Sequence, residues 1–205
     1  MIQSLVQFKK GGDRGLLALD DRGAARRVGA ADTTLELARL ALRRRSALAT
    51  LAAESCGEAI DLSDIELLAP IDHPDPAHLI VSGTGLTHLA SAESRDAMHK
   101  AVATGAASDS IRMFLMGLEG GKPDAGQVGA QPEWFYKGDG GILVSPGAPL
   151  HAPAFAGDGG EETEVAGIYM IGEDGAPARL GYALGNEFSD HLTESVNYLW
   201  LAHSK

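Results

Sequence analysis

The stretch Glu161-Glu-Thr-Glu-Val-Ala-Gly-Ile-Tyr-Met-Ile-Gly172 decides how this chain folds, together with Gly181-Tyr-Ala-Leu-Gly-Asn-Glu-Phe-Ser-Asp-His191, which follows it. Both are apolar strand-like runs, and Glu173-Asp-Gly175 between them is a hairpin-turn signal. Because alternate residues of a strand project from the same face, Glu162 and Glu164 are predicted to point together, with Glu161 on the opposite face. We therefore expect a β-hairpin that carries converging carboxylates.

Converging carboxylates need a counter-charge. Two like charges side by side repel each other, and an unpaired carboxylate is costly to bury. A divalent cation held by two or three of these carboxylates would remove that cost and supply a Lewis acid. Since all the ligands are oxygens, the expected ion is a hard one, Mg²⁺, Mn²⁺ or Ca²⁺, rather than zinc.

Four features in a fixed order resemble the fumarylacetoacetate hydrolase superfamily. They are the strand and glycine turn from Leu79 to His88, the lysine of Glu133-Trp-Phe-Tyr-Lys137, the Glu-x-Glu-Val-Ala strand, and the Gly-Tyr-Ala-Leu-Gly-Asn-Glu segment ending at Glu187. More narrowly, Val81-Ser-Gly-Thr-Gly-Leu-Thr-His88 and Gly185-Asn-Glu-Phe-Ser-Asp-His191 are similar to its sugar-acid branch, whose members are proposed to act as 2-keto-3-deoxy-arabonate dehydratases. The resemblance covers roughly residues 67 to 205.

The resemblance implies an α+β fold. Its main part would be a mixed, strongly curved β-sheet roll of the superfamily's C-terminal-domain type, preceded by a small α+β N-terminal domain. Pro70-Ile-Asp-His-Pro-Asp-Pro76 is the best boundary, because proline fixes φ and favours an extended preceding residue. We expect domains at residues 1–70 and 71–205. Relatives carry more sequence after this point, so we expect a truncated chain with an incomplete roll.

The resemblance also implies the residues of a site. The expected metal ligands, for Mg²⁺ or Mn²⁺, are Glu162, Glu164 and Glu187, and the expected catalytic residues are His88, Glu93 and Lys137. In these roles His88 is an acid or base, Glu93 orients it, and Lys137 is a cation for a substrate carboxylate or enolate oxygen. Relatives place the glutamate about three residues after the histidine and often have Asp at the position of Glu187, and this chain departs from both patterns.

The resemblance to the sugar-acid branch further implies an enzyme acting on a 2-oxo acid. We expect a metal-dependent hydro-lyase that dehydrates a 2-keto-3-deoxy sugar acid, a pentonate. The same residues are compatible with hydrolysis of a C–C bond in an acylpyruvate. A non-catalytic truncated fragment is the third interpretation. The expected partners are the small-molecule 2-oxo acid and a second copy of the chain in a homodimer.

Composition excludes several other functions. The formal net charge of the 205 residues is −11, and the longest basic run is Arg43-Arg44-Arg45, so nucleic acid is not an expected partner. No apolar run reaches about 18 residues and the N-terminus has no secretory core, so no membrane partner is expected. Cys56 is the single cysteine, which fits a reducing compartment. We therefore expect a cytoplasmic protein.

The pattern of the N-terminal part predicts a strand meander followed by a helix. Ser4–Phe8, Gly15–Leu19 and Ala24–Val28 are short apolar runs separated by glycine-containing turns. Thr33-x-x-Glu36 is a capping box, and apolar residues at helical spacing predict a helix from there to about Glu54.

Overall fold

The computed structural model describes residues 1–83, 115–117, 119–130, 134–196, 200 and 202–205. They divide into two compact units, one made of Met1–Leu79 with Asp139–Lys205 and the other of Ile80–Gly138. The division into domains at residues 70 and 71 stays a prediction. Within the described residues, no helix is long and apolar enough to cross a membrane.

The first unit begins with a five-stranded antiparallel sheet. Its strands are β1 (Ile2–Lys10), β2 (Asp13–Asp20), β3 (Ala25–Val28), β4 (Cys56–Ala59) and β5 (Glu66–Leu67), in the order β4-β3-β2-β1-β5. The predicted meander is thus confirmed as β1, β2 and β3. Gly11 and Gly12 join β1 to β2 with φ values of 58° and 95°, which only glycine adopts without strain, as a tight hairpin turn requires.

Two helices pack against this sheet: α1 (Thr34–Arg44) and α2 (Leu48–Glu54). The Thr33 hydroxyl accepts the Glu36 backbone N–H at 3.1 Å, as the capping box predicts. The prediction of a single helix as far as Glu54 is wrong. Arg45 adopts a left-handed conformation with φ of 52°, and the next N–H, of Ser46, bonds to the Ala41 carbonyl at 3.0 Å, which closes α1 before α2 begins.

Apolar residues fill both faces of the five-stranded sheet. On one face a cluster joins the sheet to the helices; its buried members are Leu16, Ala18, Val28, Leu37, Ala41, Leu51 and Ala52. On the other face Phe8, Leu17 and Ala25 pack with Ile60 and Ile65. The alternation of Leu16, Leu17 and Ala18 between the two clusters follows from the two-residue period of a strand.

One buried polar side chain ties this sheet to the proline-rich segment. Gln7 is fully buried; its amide donates to the Ala69 carbonyl at 2.7 Å and its Oε1 accepts the Thr34 N–H at 2.9 Å. Nearby, the Arg14 guanidinium donates to both carboxylate oxygens of Asp72 at 2.6 Å. Residues 69–72 are therefore fixed to the sheet by polar contacts.

The rest of the first unit contains a long hairpin, β8 (Gly160–Ile171) and β9 (Pro177–Ser189). The predicted turn is confirmed: Gly175 has φ of 77°, and the Gly172 N–H bonds to the Ala176 carbonyl at 2.9 Å. After β9 come the helix α3 (His191–Val196) and a 3₁₀ turn, Ala202–Ser204. The segment from His191 to Val196 is thus helical.

In the second unit β6 (Ile80–Gly83) pairs with β7 (Phe135–Asp139). Lys137 follows Phe135 and Tyr136 on β7. Gly83 is required at the pairing, because a Cβ there would overlap the Phe135 ring and lie 2.6 Å from Cε of Lys137. Sheets and helices together make an α+β protein, as expected.

Candidate active site

The strand register brings two of the predicted metal ligands face to face. Glu162 on β8 is the direct partner of Glu187 on β9, and Glu164 is the partner of Gly185. Glu162 and Glu164 share the more buried face of β8, whereas Glu161 is exposed, as the two-residue period predicts. Directly opposed like charges destabilise a strand pair. This end of the hairpin therefore needs a positive charge.

The Lys205 ammonium supplies that charge. Its Nζ lies 2.9 Å from Oε1 of Glu162, 2.9 Å from Oε2 of Glu194 on α3, and 3.7 Å from Oε2 of Glu187. It also donates to the Ser189 hydroxyl at 3.1 Å, so its three N–H donors have three acceptors. The Lys205 side chain is only 5% exposed. We call Glu162, Glu187, Glu194 and Lys205 the charge cluster.

Both signs of charge persist in this cluster at neutral pH. Burial alone would raise the pKa of Glu162, but hydrogen bonds from Lys205 and Ser189 and the Lys205 charge outweigh it, so the pKa is lowered. Burial alone would lower the pKa of Lys205, yet its bonds to Glu162 and Glu194 raise it overall. The site is thus a set of carboxylates gathered around an ammonium.

A buried aspartate sets the start of α3 and hence the place of the residues around the charge cluster. The Asp190 carboxylate accepts the N–H groups of Gly157 at 2.9 Å, Asp158 at 3.3 Å and Thr193 at 3.0 Å, and the Thr193 hydroxyl at 2.5 Å. These bonds, led by those from Thr193, hold the pKa of Asp190 well below its usual range. The Asp190 N–H donates to the Ser204 carbonyl at 2.7 Å, which anchors the chain next to Lys205.

Not all of the predicted residues belong to this cluster. Glu162 and Glu187 do, and Glu164 lies two residues along on the same face. Lys137 lies in the other compact unit, with its Nζ 5.5 Å from the centre of the Phe135 ring. His88 and Glu93 lie outside the described residues. The roles predicted for Lys137, His88 and Glu93 stay predictions.

Sequence reasoning missed several residues at this site. The site residues predicted from the sequence do not include Lys205, Glu194, Ser189 or His191. The available signal was the dense polar run Glu187-Phe-Ser-Asp-His191 directly after an apolar strand. Lys205 carried no such signal, because its contact with Glu162 joins residues 43 positions apart.

The donor chemistry at the charge cluster fits a hard divalent cation. Glu162 and Glu187 face one positive charge through carboxylate oxygens, the ligands that Mg²⁺ and Mn²⁺ take. Across the described ranges, no group of three or more His, Cys, Asp or Glu side chains is already arranged to hold a metal. In this arrangement the Lys205 ammonium is the cation between the carboxylates.

Solved structures of 2-keto-3-deoxyarabinonate dehydratase share the fold of this chain. The chain matches 2-keto-3-deoxy-D-arabinonate dehydratase complexed with magnesium and 2,5-dioxopentanoate, with a TM-score of 0.60 and 19% identity. It matches a hexagonal crystal form of that dehydratase with a TM-score of 0.60 and 20% identity, and the apo form with 0.57 and 16%.

Each match covers 99% of this chain but only 61–62% of the dehydratase chain. No family model and no curated protein matches the sequence. At these identities the comparison establishes the fold, and the chain spans about three-fifths of the length of the enzymes whose fold it shares.

Proposed function

We propose that this chain carries the carboxylate site of a divalent-metal-dependent hydro-lyase that dehydrates a 2-keto-3-deoxy pentonate. The observation that supports this most is the direct pairing of Glu162 with Glu187, which aims two carboxylates from neighbouring strands at one cation. The shared fold supports the choice of reaction, since one of the matched dehydratases is complexed with magnesium and a 2,5-dioxo acid.

Glu162, Glu164 and Glu187 are the proposed ligands for Mg²⁺ or Mn²⁺. When bound, such an ion would act as a Lewis acid towards the 2-oxo group and make the neighbouring C3 proton more acidic. His88, oriented by Glu93, is proposed to remove that proton, and loss of the C4 hydroxyl would complete the dehydration.

Two lysines are proposed to bind the substrate carboxylate. Lys137 comes from the sequence resemblance. Lys205 is suggested by the structure: its nearly buried ammonium lies 2.9 Å from carboxylate oxygens of Glu162 and Glu194, and a divalent ion that took its place between them would free its donors for a substrate carboxylate. A substrate carboxylate offers an ammonium the same kind of oxygen acceptor as Glu162 and Glu194 do.

Thermal unfolding with added Mn²⁺ or Mg²⁺ tests the metal site. A ligand that binds only the folded state stabilises it by about 2.7 kcal/mol at a hundredfold excess over Kd. Glu162→Gln combined with Glu164→Gln should abolish the rise in Tm. Glu161→Gln is the matched control, since Glu161 is exposed on the opposite face of the same strand and should keep the full response. A double variant that responds like the parent would disprove the carboxylate site.

Turnover of a 2-keto-3-deoxy pentonate tests the other residues. His88→Ala should lower kcat by roughly 10²-fold without changing the metal response, as expected when an acid or base is lost. The exposed His151, replaced by alanine, is the control. Lys137→Met and Lys205→Met should each raise KM if both lysines bind the substrate, and whichever variant leaves KM and kcat unchanged removes its lysine from the site.

A homodimer and a cytoplasmic location are also proposed. Neither follows from the charge cluster. Sedimentation equilibrium of the purified chain would test the first, with a monomer at all concentrations as the contradicting result.

A further inference from the structure

His191 lies against the strand that carries Glu162. Its Nε2 is 3.1 Å from Oε1 of Glu162. At Gly160 the ring lies so close to the backbone that a Cβ there would overlap its Cε1 and Nδ1 atoms. The glycine therefore provides the space in which the imidazole ring sits, two residues before the carboxylate that it contacts.

The backbone of His191 is held from the other side. Asp190 directly precedes it and accepts hydrogen bonds from Gly157, Asp158 and Thr193, which fix the first turn of α3. Gly160 itself pairs with Ser189 across the hairpin. The first turn of α3 and the backbone at Gly160 together place the imidazole ring so that its Nε2 faces Glu162.

An ion pair alone does not explain this arrangement. The His191 side chain is 47% exposed, and exposed pairs contribute little to stability. Lys205 already supplies a positive charge to the same carboxylate oxygen of Glu162. When Nε2 carries the proton, His191 adds a second donor to Oε1 of Glu162, and two donors restrict the orientation of a carboxylate more than one does.

We propose that His191 is a positioning residue, which donates from Nε2 to Oε1 of Glu162 and fixes this carboxylate for cation binding, with Gly160 as the position that admits the ring. The inference rests on the proposed function, because it assigns Glu162 to the metal site. Groups that orient metal ligands through hydrogen bonds typically change metal affinity by 10–100-fold when they are removed.

Calorimetric titration with Mn²⁺ provides the test. His191→Ala should weaken Mn²⁺ binding about tenfold. His191→Gln should restore most of the affinity, since its amide nitrogen can donate in place of Nε2. Gly160→Ala should reproduce the loss by displacing the ring, and the double variant His191→Ala with Gly160→Ala should bind no more weakly than His191→Ala alone. Gly181→Ala is the matched glycine control, because a Cβ there meets nothing within 4 Å.

The outcomes separate this inference from the proposed function. A parent protein that takes up no Mn²⁺ would overturn both. A parent that binds Mn²⁺ while His191→Ala binds equally well would overturn the inference alone, as would a Gly160→Ala effect that adds to that of His191→Ala. If His191→Ala does not fold, as judged by circular dichroism, the comparison of Gly160→Ala with Gly181→Ala decides, and equal affinities would overturn the inference.

Discussion

The N-terminal sheet with its two helices and the C-terminal hairpin with α3 use their apolar residues in opposite ways. In the first region, Leu16 and Leu17 on β2 and Leu37 on α1 are completely buried. In the hairpin, Val165 and Leu184 are cross-strand partners that are 67% and 81% exposed. Burial of apolar area stabilises the first region. The second is held by its strand ladder and by hydrogen-bonded charges, so we expect substitutions to affect folding in the first and ion or substrate binding in the second.

The largest difference between the two regions is expected when one leucine is truncated in each. Leu37→Ala should lower the free energy of unfolding by about 2–5 kcal/mol, because it leaves a cavity in a filled core. Leu184→Ala should change it by no more than about 0.5 kcal/mol, as at other exposed positions. Urea unfolding measures both. Similar losses in the two variants would show that the exposed face of the hairpin is covered in solution.

A second variant tests the polar exception inside the apolar region. Gln7→Leu should cost about 1–3 kcal/mol although it adds apolar surface, because the Ala69 carbonyl and the Thr34 N–H would lose their buried partner. Gln3→Leu is the matched control, since Gln3 is exposed on the same strand. If Gln7→Leu is as stable as the parent, water or another group replaces the amide and residues 69–72 are not held by it.

The third variant tests whether charge holds the hairpin end together. Lys205→Met should lower the stability of the metal-free protein by about 1 kcal/mol, because Glu162, Glu187 and Glu194 would lose their shared positive charge; the value is small because two of them are about one-third exposed. Mn²⁺ should then raise the Tm of this variant more than that of the parent. Lys9→Met, at an exposed position of β1, is the control. A Mn²⁺ response no larger than in the parent would mean that the ion and the ammonium do not share a position.

The sequence predicted the parts of the hairpin that depend on neighbouring residues. The two-residue period places Glu162 and Glu164 on one face, and the Asp174-Gly175 pair predicts the turn, because both signals are local. The same reasoning overextended α1, since arginine is a good helix former and nothing in Arg43-Arg44-Arg45 indicates that Arg45 adopts a left-handed conformation.

The charge cluster was harder to predict. The pairing of Glu162 with Glu187 depends on the register across a whole hairpin, and a shift of one residue would move Glu187 to the other face. The position of Lys205 depends further on Asp190, whose N–H bonds to Ser204. Such contacts between distant positions leave no pattern in a single sequence. The sequence indicates Lys137 instead, and the role of that lysine stays a prediction.

The smallest expected effect is on the pH dependence of stability, and it concerns Asp190, the residue directly before α3. Because hydrogen bonds hold the folded-state pKa of Asp190 below its ordinary value of 3.8, the unfolded chain binds a proton first as the pH falls. The stabilisation by this carboxylate is therefore fully present above about pH 4 and is lost as the pH falls further, through the lowered folded-state pKa.

Asp190→Asn should remove this part of the acid dependence. Thr193→Val should weaken it, because the Thr193 hydroxyl is the largest single cause of the shift. Urea unfolding between pH 2 and 7 measures the slope, and an Asp190→Asn variant that loses stability below pH 4 as steeply as the parent would show that the acid sensitivity of the hairpin region comes from other carboxylates.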